Sequence, residues 1–174
     1  MKAKLIFLLL SLTGIINVSS CRKEPPNEMP PETQTGANTL GCLIDGELFV
    51  GGCCAPWMHP IFSVGYYTIS DKLRIGAYGK MNDQASGGIY IEIDTPRENV
   101  LQKFSIASYN PSTGRCIRYE AFNDGICTIT KFDTIRKIVS GQFQFIGYCG
   151  GIDSTDTRQI TQGRFDFKYD TYNE

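Results

Sequence analysis

Glu92 and Asp94 lie two residues apart in the segment IYIEID, residues 89–94. In a strand, that spacing puts both carboxylates on one face, about 7 Å apart by strand rise, within the range a glycosidase pair uses. The same alternation also makes an ordinary solvated outer face, with Ile89, Ile91 and Ile93 turned toward a core. Histidine catalysis would have to use His59, the single histidine, which sits between Met58 and Pro60 with no nucleophile motif nearby. Asp153 and Asp156 lack the glycine spacing and terminal Glu of a calcium loop, and their Ser, Thr and Gly neighbours read as a hairpin turn. Gly87-Gly88 and Gly150-Gly151 are followed by no Gly-Lys-Ser/Thr, so neither is a phosphate loop. What remains is aromatic. Tyr78 shares a strand face with Arg74 and Lys80, and Tyr90 shares one with Glu92 and Asp94. Rings beside charges on an outer sheet face stack on sugars or anchor protein partners, although Tyr also simply suits a half-exposed strand. The binding-surface candidates are therefore Arg74, Tyr78, Tyr90, Glu92 and Asp94. A carboxylate-dependent, glycosidase-like hydrolase is the alternative. No catalytic constellation, metal set or cofactor motif is identified.

The chain has seven cysteines, and one of them stands apart. Lys2 and Lys4 precede an apolar run from Leu5 to Ile16, and Val18-Ser19-Ser20 leads into Cys21. Charge, a short apolar core and small residues follow the order of a secretory signal. The run is too short to span a bilayer, which needs about 20 apolar residues. An aliphatic residue three places before a Cys, followed by two small ones, resembles the bacterial lipobox. The resemblance implies cleavage before Cys21, a diacylglyceryl thioether on its sulfur and an acylated new N-terminus. The protein is then expected in the cell envelope, lipid-anchored to a bacterial membrane, the outer one on this reading.

Export also fixes the reading of the other cysteines. Cys42, Cys53, Cys54, Cys116, Cys127 and Cys149 form an even set in an oxidising compartment, which reads as disulfides. Cys116 and Cys127 flank Asn123-Asp124-Gly125 and are expected to bridge that turn. Adjacent Cys53 and Cys54 are expected to take separate partners, Cys42 and Cys149. Zinc is disfavoured, because no CxxC pair accompanies the lone histidine.

Removing residues 1–20 takes away Lys2 and Lys4 and no acid, leaving 15 basic against 18 acidic side chains, a formal charge of −3. That balance argues against a nucleic-acid partner, which favours a basic face. Residues 21–37 carry Pro25, Pro26, Pro30 and Pro31 among polar neighbours and are expected to be a disordered, semi-rigid tether behind the acylated cysteine. Residues 38–174 then form a single domain.

Within that domain, strand follows strand. Asp45-Gly46 is a two-residue hairpin signal, with Glu47 to Val50 as the return strand. Further strands are expected at Val64 to Ile69, Lys72 to Tyr78, Ile89 to Asp94, Ser105 to Tyr109, Arg115 to Tyr119, Cys127 to Lys131, Lys137 to Ile146 and Gln159 to Tyr169. Met81 to Gly88 reads as a polar loop, and Arg97 to Phe104 as the one short helix. In the last strand, Phe165, Phe167 and Tyr169 face one way and Arg164, Asp166 and Lys168 the other. The expected fold is all-β: an antiparallel, mostly meandering sheet folded into a sandwich or closed into a flattened barrel. Parity pairs Lys72 to Tyr78 with Ile89 to Asp94, in a register that sets Ile75 against Ile93, Arg74 against Asp94 and Tyr78 against Tyr90.

Three stretches carry a resemblance to a known family: GANTLGCLIDGELFV at residues 36–50, ITKFD with IVSGQFQF between residues 129 and 145, and ITQGRFDFKY at residues 160–169. Together they resemble a family of Bacteroidetes lipoproteins classed only as a domain of unknown function. The resemblance implies a cell-envelope location and a small β domain, and it brings no catalytic residues. The function expected is a non-catalytic binding or surface module, with the membrane reached through the lipid and a glycan or protein as ligand.

The anchor is directly testable. Cys21→Ala is expected to release the protein from the membrane fraction. A variant that sediments with membranes as tightly as wild type would refute the lipobox.

Overall fold

The computed structural model describes residues 28–56, 59–81, 85–122, 125–152 and 154–174. Its strands are β1 Thr39–Ile44, β2 Glu47–Gly51, β3 Phe62–Tyr67, β4 Lys72–Met81, β5 Ala85–Asp94 and β6 Leu101–Lys103. They continue with β7 Ile106–Pro111, β8 Tyr119–Glu120, β9 Ile126–Asp133, β10 Ile138–Cys149, β11 Thr157–Lys168 and β12 Asp170–Tyr172. Eight strands close into an antiparallel barrel in the order β1-β2-β4-β5-β7-β8-β10-β11, with β11 bonded both to β10 and back to β1. β9 and β6 extend the wall beyond β10, and β3 lies along β4. The chain leaves β11 through Tyr169 into β12, which pairs parallel to β3. Of the two closures the sequence allows, this is the barrel.

Apolar alternation fills the interior. Leu73, Ile75 and Ala77 of β4, Ile89, Ile91 and Ile93 of β5, and Phe165 and Phe167 of β11 are all buried in one core with Leu40, Ile44, Phe49 and Phe145. The Asp45-Gly46 turn forms as its residues dictate, both at positive φ (51° and 85°), and joins Ile44 to Glu47 in a tight hairpin.

β4 and β5 pair as parity requires, but two residues from the expected register: Ile75 faces Ile91, Leu73 faces Ile93 and Arg74 faces Glu92. A one-residue slip would expose the isoleucines, at about 1.5–3 kcal/mol each, so parity is firmly held. A two-residue slip keeps every one of them inside, and only cross-strand pairs of about 0.2–1 kcal/mol choose between the registers. Here glycines take part in that choice. Tyr78 lies opposite Gly88 and Tyr90 opposite Gly76, so each ring covers a residue without a side chain. A Cβ on Gly88 would lie 3.1 Å from the Tyr78 ring. The expected pairing of Tyr78 with Tyr90 is thereby replaced. The strands also run on to Met81 and Ala85, so most of the expected 81–88 loop is strand.

Other departures have local causes. No helix forms over residues 97–104. Two turns are too short to hold themselves, Asn99 takes a positive φ of 60°, and β6 finds its hydrogen bonds on β9 instead. The expected strand at 115–119 shrinks to Tyr119–Glu120. Cys116 bonds to Cys149 rather than Cys127, because Cys149 lies opposite Tyr119 on β10 while Cys127 points into the core. Cys53 and Cys54 bond to each other. Cys42 and Cys127 are free and buried, and burial pushes both thiols up, that of Cys127 to about 12. They are chemically quiet core residues.

The described part of the Pro-rich segment is not a free tether. Pro30 and Gly36 are buried, and the chain from Thr33 to Ala37 wraps the carboxylate of Asp166 on β11. Asp166 accepts bonds from Thr33 Oγ1 (2.6 Å), Gly36 N (2.8 Å), Thr35 N (3.0 Å), Ala37 N (3.1 Å) and Ser140 Oγ (2.7 Å). Burial by itself would raise this carboxyl, but the donors outweigh it and hold it down to about 2. A depressed carboxyl stabilises the fold above its unfolded value and loses that contribution as pH falls through its folded value. Asp166→Asn is therefore expected to cost up to about 2–3 kcal/mol near neutral pH, with the gap to wild type closing between about pH 4 and pH 2. Urea unfolding at several pH values measures this. A gap independent of pH would show that the charge of Asp166 does not hold the segment.

Candidate functional site

The outer faces of β3, β4, β5 and β12 converge on Glu92. Its position in β5 turns it away from the core, yet its side chain is only 5% exposed because longer neighbours lie over it. Lys72 Nζ donates to Oε1 and Arg74 Nε to Oε2, both at 2.8 Å. Tyr90 OH reaches Oε2 at 3.3 Å and Ser105 Oγ reaches Oε1 at 3.4 Å. Burial raises the Glu92 carboxyl, but the hydrogen bonds and charges of Lys72 and Arg74 outweigh it and leave it below the usual range. The Tyr90 phenol is pushed up, first by burial and then by Glu92.

From Glu92 the contacts run outward. Lys72 also reaches Asp94 at 3.0 Å. The Arg74 guanidinium lies 4.3 Å above the Tyr67 ring, and Tyr67 stacks on Tyr172 with centroids 5.0 Å apart and planes at 21°. Tyr172 gets there because β12 runs parallel to β3 and sets Tyr172 beside Tyr67. Gly65 leaves room for it: a Cβ there would lie 2.6 Å from the Tyr172 ring. The result is a flat ladder, Tyr172–Tyr67–Arg74–Glu92, in which each group is fixed by the next.

Four of the sequence candidates, Arg74, Tyr90, Glu92 and Asp94, come together in this ladder. Tyr78 does not. It lies further along β4, with its ring 6.0 Å from that of His59 and facing a separate pocket. Tyr67, Lys72, Ser105 and Tyr172 join them without a sequence motif that marks them. The Tyr66-Tyr67 pair is a weak hint, but nothing local indicates that Tyr172, 105 residues later, stacks on it. The other chemical alternatives find ordinary roles. Asp156 accepts from Tyr119 OH at 3.1 Å and pairs with Arg158 at 3.6 Å, while Asp153 lies outside the described residues. No cluster of three or more His, Cys, Asp or Glu with metal-ligand geometry is present among the described residues.

Chemically, a general acid for glycoside cleavage needs a raised carboxyl. Glu92 is held low, with both oxygens occupied. What the site offers is a preordered aromatic surface with its charges paired, whose side chains lose little further freedom on binding. No known family model, curated protein or solved structure matches this chain.

Glu92 should be the ladder's keystone. Glu92→Gln leaves two cations facing an uncharged amide and is expected to destabilise by about 1–3 kcal/mol, discounted for the partial exposure of Lys72 and Arg74. The accompanying mark is loss of the Tyr67–Tyr172 stack, read as weaker near-ultraviolet dichroism. A variant of wild-type stability and unchanged spectrum would show that Glu92 organises nothing.

Proposed function

We propose that this protein is a non-catalytic, lipid-anchored module of the cell envelope that holds a partner protein on the outer face of its barrel. One observation carries the choice of a binding module over a hydrolase: the Glu92 carboxylate is neutralised by Lys72 and Arg74, and Arg74 lies against a flat Tyr67–Tyr172 stack. Such a surface suits recognition and not proton transfer. Tyr and Arg are the residues most enriched at interface hot spots, and here they stand preordered, with Tyr172 41% exposed. The core supports an external site too, because Phe49, Phe145 and Phe167 occupy the space a carrier barrel would leave for its ligand. The lipobox and the lipoprotein-like motifs support the envelope location.

The test is site-specific crosslinking in cells, with a photoreactive side chain at position 172 of the full chain. A discrete adduct is expected at 172 and not at position 152, an exposed turn site between β10 and β11, at the opposite end of that hairpin from Tyr169. Arg74→Ala should reduce the adduct at least tenfold. Equal labelling at both positions would refute the interface. Release of nitrophenol from aryl glycosides by wild type but not by Glu92→Gln would restore the hydrolase.

A further inference from the structure

Beyond the ladder, the outer face of the barrel carries a concave site. A pocket of about 510 Å³ opens where the loop after β2, the end of β7 and the segment before β8 meet the far half of β4 and β5. We propose that it binds a neutral sugar, a disaccharide unit of a larger glycan.

The walls define the chemistry. One side is the ring of Tyr78, which lies against Gly88 and is backed by His59. Facing it are apolar surfaces of Pro56, Pro111 and Ile117, with Cys54 of the Cys53–Cys54 disulfide beside them. Ile117 is 86% exposed, an isoleucine that no internal contact requires at that place. Flat, rigid, apolar walls around an aromatic ring suit the C–H faces of a pyranose. Proline, a ring over glycine and a disulfide also have little side-chain freedom to lose when a ligand arrives.

The polar groups say what the ligand carries at its edges. Asn110 lines the pocket with its polar side chain; its Oδ1 is covered from solvent and accepts no hydrogen bond among the described residues. Ser112 Oγ, at the same edge, donates to Ser86 O at 2.6 Å and accepts from Ser86 Oγ at 2.5 Å, which leaves it one acceptor position. Arg118 also lines the pocket, but Glu120 lies 3.0 Å from its Nη1 and balances its charge. The site therefore has hydrogen-bonding edges without a net charge, which fits a neutral sugar better than a uronate or a phosphate. An acyl chain would leave Asn110, Ser112 and Arg118 unused. The volume exceeds a single hexose and accommodates two linked rings.

The test uses the full chain in detergent, titrated with maltose, cellobiose and chitobiose to about 10 mM, well above a Kd of about 1 mM. At least one is expected to bind by calorimetry, and Ile117→Asp to weaken it at least tenfold. Tyr78→Ala should do the same if dichroism shows that it folds. If it does not fold, Ile117→Asp decides, since its exposed side chain supports nothing. Ile135→Asp, elsewhere on the surface, should bind as wild type. Binding of none of the three sugars overturns the proposal. So does binding that Ile117→Asp leaves unchanged, or that Ile135→Asp weakens equally.

Discussion

The barrel exists because β11 can hydrogen-bond on both edges at once. One edge pairs with β10 from Ile138 to Tyr148, and the other pairs with β1 from Thr39 to Ile44. A twisted antiparallel sheet that fails to close leaves a row of unpaired backbone groups on each side. Closure removes that liability but demands that everything turned inward be apolar and everything turned outward find another partner. β11 meets both demands. Phe165 and Phe167 fill the interior, while Asp166 between them takes the segment that precedes β1. The strand then runs on through Tyr169 into β12 and delivers Tyr172 to β3. The clamp on the N-terminal side and the aromatic ladder on the opposite chain end thus depend on the same strand.

Two buried carboxylates hold the outer surface together, and they do so by different physics. Asp166 is satisfied by backbone N–H groups and hydroxyls, donors that carry no net charge and cannot swing away without unfolding the loop they belong to. It fixes backbone. Glu92 is satisfied by Lys72 and Arg74, whose long side chains remain partly exposed. It fixes side chains, and so holds Arg74 flat over Tyr67. Both carboxyls end below their usual range because donors outnumber what burial costs them. The first arrangement fastens the segment before β1 to the barrel wall. The second suits a surface that meets a partner with its geometry already set.

What the sequence reveals follows the size of the energies involved. The all-β class, the Asp45-Gly46 hairpin and the inward faces of β4, β5 and β11 were legible because each rests on burying whole side chains, at kilocalories apiece. The β4–β5 register was not, since a two-residue slip preserves that burial and only cross-strand pairs, Tyr78 over Gly88 and Arg74 on Glu92 among them, separate the choices. Asp166 alternates with Phe165 and Phe167 as an outer-face residue should. Its burial could not be foreseen, because what covers it lies more than 120 residues earlier in the chain. The cysteine pairing failed for the same reason: proximity across the 123–125 turn suggested Cys127, whereas the β8–β10 pairing sets the partner at Cys149. Arg74, Tyr90, Glu92 and Asp94 were legible as a cluster through parity alone. Tyr67 and Tyr172 needed the parallel β3–β12 contact, which no local pattern encodes.

The register that resisted reading also sets the distance between the two surface features. Arg74 and Tyr78 share a face of β4, four residues apart, or about 13 Å at ordinary strand rise. Between them, Gly76 receives Tyr90, and beyond them Gly88 receives Tyr78. Moving β5 by two residues would leave the core packed and the barrel closed. It would also take Glu92 out from between Lys72 and Arg74 and replace the glycine opposite Tyr78 with a tyrosine. The ion-paired ladder and the aromatic wall of the pocket would be lost together, while the fold would lose only the pair energies. Gly79 and Gly87 serve the barrel itself, since a Cβ on either would run into β2 or β7. Gly88 is different: a Cβ there would press on the Tyr78 ring, so this glycine belongs with the register that displays both surfaces.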